Sequence, residues 1–166
     1  MRNVEAKFPL QDVEAVRRRA EAIGFEYVAT LVQHDTFFAA PNGKFKLREE
    51  NDGAWLIHYQ RHREQGLELS NYQIVAVSEP RELRHLLGAA LGVVAKVDKR
   101  RMLFRRANIR LHLDDVVNLG MFGELEALMN IEDDPAAGRA EIAAILRTLQ
   151  IPPEELIDVS YFELPR

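Results

Sequence analysis

The sequence predicts an α+β fold, with about eight strands set against roughly three or four helices. Three observations carry that prediction. Strand-length segments alternate apolar and polar residues, as in "RNVEAKF" at 2–8, where Val4, Ala6 and Phe8 alternate with Asn3, Glu5 and Lys7. Short turn signals, "PNG" at 41–43 and "NDG" at 51–53, separate neighbouring strands and favour antiparallel pairing. Other segments switch to helical spacing and carry start and stop residues.

The elements follow in order. After the first strand, residues 10–24 read as a helix, with Asp12 as N-cap, Val13, Val16, Ala20 and Ile23 on one stripe, and Gly24 as the stop. Strands are expected at about 26–39, 44–50, 54–61 and 69–77. A second helix spans 80–91: Pro80 suits its first turn, Leu83, Leu86, Leu87 and Ala90 form its apolar stripe, and Gly92 ends it. Two strands at about 96–105 and 108–116 turn at Ala107 and Asn108, and another covers about 122–130. Asp134 and Pro135 start a third helix that runs to about Leu149. "IPPEEL" allows one short helix more, and "DVSYFEL" reads as a final strand or docking segment.

The 166 residues suit one domain over 1–166. With 47% apolar and 29% charged residues, the composition is that of an ordinary soluble chain. A net charge of −4 argues against nucleic acid or a membrane surface as partner, because both need a basic face. The absence of cysteine excludes disulfides, thiolate metal sites and a thiol nucleophile. No apolar run approaches the ~20 residues that span a bilayer, and no signal peptide is expected, since the chain enters a strand pattern at once. The expected location is the cytoplasm, and a homodimer is an assembly the sequence leaves open.

Period two also sorts the charges. Lys44, Lys46 and Arg48 share one strand face, opposite Phe45 and Leu47. Tyr59 and Arg61 share a face with Trp55 and Ile57, and Lys99 and Arg101 share one with Leu103. Asn108, Arg110, His112 and Asp114 oppose Ile109, Leu111 and Leu113, and Glu124 and Glu126 oppose Leu125 and Ala127. The apolar faces suit the helices, so the charged faces lie together on the other side. Two arrangements satisfy this pattern: an open sheet with one wet face, or a barrel closed with its charges inside. Lysines and arginines at two-residue spacing repel one another unless an anion sits among them. Enclosed charges need partners, a ligand or a metal.

The segment "NVEAK" at 3–7 resembles the N-terminal ExExK signature of the CYTH superfamily, the triphosphate tunnel metalloenzymes. "HDTFF", "KFKLRE", "DKRRMLF", "RLHLDDVVNLGMFGELE" and "SYFEL" follow in the family's order, so the resemblance covers about residues 2–163. The long run is its most specific part, and the blocks together look like the class IV adenylyl cyclase-like group. The resemblance implies an eight-stranded antiparallel closed β-barrel, a tunnel open at both ends, with helices packed on the outside. It implies a triphosphate in the tunnel. By match to the family's positions, Lys7, Lys46, Arg48, Arg61, Lys99, Arg101 and Arg110 would bind the triphosphate. Glu5, Asp114, Glu124 and Glu126 would hold Mg²⁺ or Mn²⁺, with Glu5, Glu126 and Lys7 as the catalytic set. One departure stands out. The first Glu of ExExK is Asn3, whose amide offers an oxygen but no negative charge.

These residue types suit the implied chemistry. Phosphoryl transfer depends on positioning and charge neutralisation more than on a covalent nucleophile. Arginine forks grip phosphate oxygens, lysine supplies a compact charge, and hard divalent ions take carboxylate oxygen. Glu124 and Glu126 lie two apart on a strand, their Cβ atoms about 6–7 Å apart on one face. Two reactions fit: hydrolysis, in which water attacks the terminal phosphorus, and cyclisation, in which a ribose hydroxyl attacks the α-phosphorus of ATP and pyrophosphate leaves. Hydrolysis of ATP, thiamine triphosphate or tripolyphosphate is the preferred expectation, with adenylyl cyclase second. A module that binds triphosphate without turnover is the third, because of Asn3. His112 is read as a phosphate contact, a partner of Asp114 or a structural residue, Gly120 and Gly123 as turn glycines, and Tyr161 as docked on the barrel wall or at a tunnel mouth. No HExxH, P-loop or dinucleotide-binding motif is present.

Overall fold

The structure, a computed structural model, describes residues 1–64 and 67–165. The strands are β1 (Arg2–Pro9), β2 (Glu26–Phe38), β3 (Lys44–Glu50), β4 (Gly53–Glu64), β5 (Leu67–Ala76), β6 (Val93–Arg106), β7 (Ile109–Val116) and β8 (Gly120–Met129). They close in the order β1-β5-β4-β3-β2-β6-β7-β8, and every neighbouring pair is antiparallel. Closure decides between the two arrangements that the alternation allowed. A closed sheet has no free edge, and its inner face is shared by all the strands.

Three helices accompany the barrel: α1 (Val13–Ala22), α2 (Pro80–Leu91) and α3 (Pro135–Leu149). Asp12 caps α1 by accepting from the Ala15 amide, and Asp134 caps α3 by accepting from the Ala136 amide. The main core lies outside the barrel. There Val4, Ala6 and Phe8 of β1, with Leu111 and Leu113 of β7, pack against Val16 and Ala20 of α1 and Ile142, Ile145 and Leu149 of α3. α2 behaves differently. None of its residues is buried, and Leu86 of the expected stripe is 66% exposed.

The C-terminal segment forms two short 3₁₀ turns, Pro153–Glu155 and Tyr161–Glu163, instead of a strand. An isolated β-bridge between Ile157 and Lys7 ties it to β1. The segment lies across one end of the barrel and touches several strands, β6 among them through Lys99 over the Tyr161 ring. Tyr161 bonds Asp114 of β7 and packs on Phe122 of β8, Phe162 packs on Phe37 of β2, Glu163 pairs with Lys44 of β3, and Lys7 of β1 donates to the Val159 carbonyl. The tunnel expected to be open at both ends is therefore covered at this end, because the aromatic residues of "SYFEL" fill the space left by the strand ends.

Candidate functional site: a charged tunnel

The same alternation that sends Val4, Ala6 and Phe8 outward turns Asn3, Glu5 and Lys7 into the barrel. Inside is a cavity of about 450 Å³. Seven basic side chains (Lys7, Lys46, Arg48, Arg61, Lys99, Arg101 and Arg110) and five carboxylates (Glu5, Asp35, Glu50, Glu124 and Glu126) line it. On the wall itself the cations outnumber the carboxylates, so a polyanion in the cavity would meet them, while Asp114 and Glu68 behind it pair with Arg101, Lys99 and Arg61. At the end away from the C-terminal segment the wall becomes apolar, with Leu31, Trp55, Ile74 and Leu103.

The basic residues are held by buried acids. Asp35 accepts two bonds from Arg48, both 2.7 Å, and one from Lys46 at 2.8 Å. Asp114, fully buried, accepts two 2.6 Å bonds from Arg101 and one of 2.8 Å from the Tyr161 hydroxyl, with Lys99 at 3.3 Å. Arg61 contacts Glu5 at 2.5 Å and Glu68 at 3.1 Å. Arg110 stands 4.0 Å from Glu126. Such bidentate pairs fix the arginine planes before any ligand arrives.

Burial and these neighbours shift the titrations. Burial opposes ionisation of Asp35, yet Arg48 and Lys46 outweigh it and hold the carboxyl well below the usual range. Asp114 is held low in the same way, against burial, by Arg101 and Lys99. Glu124 is also held low, by Arg101 and by the bond from His112. Glu5 goes the other way: burial, joined by the charges of Glu124 and Glu126, pushes it up to about 8 despite Arg61. Burial and the neighbouring Arg48 lower Lys46 to about 7, and burial with Arg101 lowers Lys99 to about 8.

The structure places ten of the eleven sequence-derived candidates on the cavity wall: Glu5, Lys7, Lys46, Arg48, Arg61, Lys99, Arg101, Arg110, Glu124 and Glu126. Asp114 lies behind that wall with both oxygens engaged. Asp35 and Gln33 line the cavity but stand outside the sequence-derived set, and Glu68 reaches Arg61 from β5. The signal for Gln33 and Asp35 lies in "LVQHDTFF", where period two sets Leu31, Gln33, Asp35 and Phe37 on one face. His112 bonds Glu124, not Asp114.

The donor set fits a divalent cation. His112, Glu124 and Glu126 offer ligand atoms that all lie within 4.8 Å of one another. Nearby, Asn3 Oδ1 is buried without a hydrogen-bond partner. An orphaned buried oxygen is costly unless something binds it.

The CYTH domain pattern matches residues 1–161. The chain belongs to the CYTH domain family. A curated relative from Methanocaldococcus jannaschii, named "Putative adenylate cyclase", is 26% identical over 172 residues, 99% of this chain and 98% of its own. A solved protein from Pyrococcus horikoshii superposes with a TM-score of 0.89 at 22% identity, over 99% of both chains. A Hippeastrum protein described as having a dominant triphosphatase activity superposes with a TM-score of 0.69 at 16% identity, over 96% of this chain and 93% of its own. At these identities the structural likenesses speak to the CYTH barrel itself. Among the described residues of this CYTH protein, no helix is long and apolar enough to cross a membrane.

Proposed function

We propose that this CYTH protein is a metal-dependent triphosphatase that binds its substrate in the barrel. The observation that carries the proposal is the meeting of seven cations with an acidic cluster in one cavity. Lys46 and Arg48 of β3 and Lys99 and Arg101 of β6 form a basic wall, with Arg61 and Arg110 on other strands, all for the phosphate oxygens. Glu5, Glu124 and Glu126 would hold Mg²⁺ or Mn²⁺, which when bound would neutralise phosphate charge and make water more acidic. Glu5 and Glu126 orient the attacking water, and Lys7 offsets charge on the leaving phosphate. We assign Asp114 to fixing Arg101 and Lys99, since its oxygens already serve those cations and Tyr161.

A second reading, adenylyl cyclase, draws on the apolar wall of Leu31, Trp55, Ile74 and Leu103, which would seat a nucleobase beside the phosphates. A panel assay separates the readings. Tripolyphosphate, thiamine triphosphate and ATP are supplied with Mg²⁺ or Mn²⁺. The expected result is phosphate release. Cyclic AMP with pyrophosphate would favour the cyclase, and calorimetric binding without turnover would favour a binding module, the reading that Asn3 motivates. Glu126→Gln is expected to remove turnover, a loss of at least about 100-fold, while triphosphate still binds. Unchanged turnover would take Glu126 out of the site.

A further inference from the structure

Resting on that reading of the tunnel, we infer that His112 is a direct metal ligand, and that the site selects a borderline transition-metal ion over Mg²⁺. His112 lies on β7 directly opposite Glu124 of β8, while Arg110 opposes Glu126. The ring is 4% exposed and lines the cavity. Its Nδ1 stands 3.2 Å from Glu124 Oε1 and 4.0 Å from Glu126 Oε1, so one nitrogen faces two carboxylates. An ion with bonds of about 2.0–2.2 Å holds adjacent ligand atoms roughly 3 Å apart. The Glu124 spacing is already near that value, the Glu126 spacing is about 1 Å longer, and all three ligand atoms lie within 4.8 Å, so gathering them on one ion needs side-chain shifts of about 1–2 Å.

A second, independent observation lies on the next strand. Glu5 of β1 is in register with Glu126, and Asn3 is two residues along on the same inner face. Asn3 is 4% exposed, and its Oδ1 has no hydrogen-bond partner. The available donors are therefore one imidazole nitrogen, the carboxylates of Glu5, Glu124 and Glu126, and one neutral amide oxygen. Mg²⁺ favours an all-oxygen shell rich in water and carboxylate, whereas imidazole raises affinity along the series from Mn²⁺ towards Co²⁺ and beyond. The chain thus carries a neutral amide at position 3 and a nitrogen donor at position 112 of the same wall.

A merely structural His112 would donate a hydrogen bond to Glu124 and never touch the ion. The two roles differ in a spectroscopic signature. Mn²⁺ is bound to the wild-type protein and the electron spin echo is recorded. Coupling to an imidazole ¹⁴N is expected, and it disappears in His112→Gln. Of the five histidines in the chain, His112 is the one on the cavity wall among the described residues, so the signal has one source. In competition titrations, Co²⁺ is expected to outcompete Mg²⁺, and His112→Glu to lower that preference at least about tenfold. Mn²⁺ held with no nitrogen coupling overturns the inference and leaves the triphosphatase reading intact. Absence of any Mn²⁺ binding overturns both. Nitrogen coupling in a protein that neither binds nor cleaves tripolyphosphate upholds His112 as a ligand and removes the triphosphatase. If the variants fail to fold, the wild-type spectrum decides alone.

Discussion

At the scale of single residues, Asp114 shows how the tunnel cations are held from behind the wall. Its carboxylate meets the Arg101 fork, Lys99 and the Tyr161 hydroxyl while fully buried. Desolvation of these groups is offset only while all of them are present. Asp114→Ala leaves two buried cations without this counter-charge and is expected to cost about 3–5 kcal/mol, read from the urea midpoint. An unmoved midpoint would mean that Arg101 and Lys99 find other partners. Asp35 and Asp114 both have depressed folded-state pKa values. Their contribution to stability is therefore complete above the ordinary carboxyl range and is lost as pH falls through the depressed values, in strong acid.

At the scale of elements, Gly123 corrects a reading made from composition. It lies within β8, not in a turn, and a Cβ there would fall 2.2 Å from the Phe8 ring. The residue is glycine because Phe8 of the neighbouring strand occupies its side-chain space. Gly123→Ala is expected to destabilise by about 1–3 kcal/mol, measured by thermal or urea unfolding, because the buried ring has to shift. A wild-type melting temperature would show that the core yields there at no cost. Gly43, by contrast, serves the turn that was expected of it, with φ of +71° just before β3. The helices divide in the same way. The spans of α2 and α3 follow from Pro80, Gly92, Asp134 and Pro135. The apolar spacing that buries α3 does not bury α2, because a stripe records a preference and the barrel supplies the surface that satisfies it.

At the scale of the whole molecule, enclosing cations together makes ligand binding depend on protons. Burial and neighbouring arginines leave Lys46 near 7 and Lys99 near 8 in the empty tunnel. A bound polyanion favours their charged forms, so binding takes up protons wherever the free lysines have lost them. Glu5, near 8, gains negative charge over the same interval and repels the ligand further. Tripolyphosphate affinity of the metal-free protein is therefore expected to fall about tenfold or more from pH 7 to pH 9. Calorimetry in two buffers of different ionisation enthalpy checks this through the proton uptake. Affinity flat across that interval would mean that the lysines stay charged in the empty tunnel.

Much of the element plan was legible in the chain, since period two, helical spacing and caps are local properties. Face by face, the alternation set Glu5 with Lys7, Lys46 with Arg48, and Glu124 with Glu126. From the same residues it could not tell an open wet sheet from a closed barrel, because closure is a relation between β1 and β8, more than a hundred residues apart. Tertiary structure alone decided which acid serves which cation, that His112 faces Glu124 and Glu126, and that the C-terminal segment covers one end. Each of those outcomes depends on a through-space distance between strands. Charge and hydrogen bonding act over a few ångströms, and only the closed barrel fixes which groups come that near.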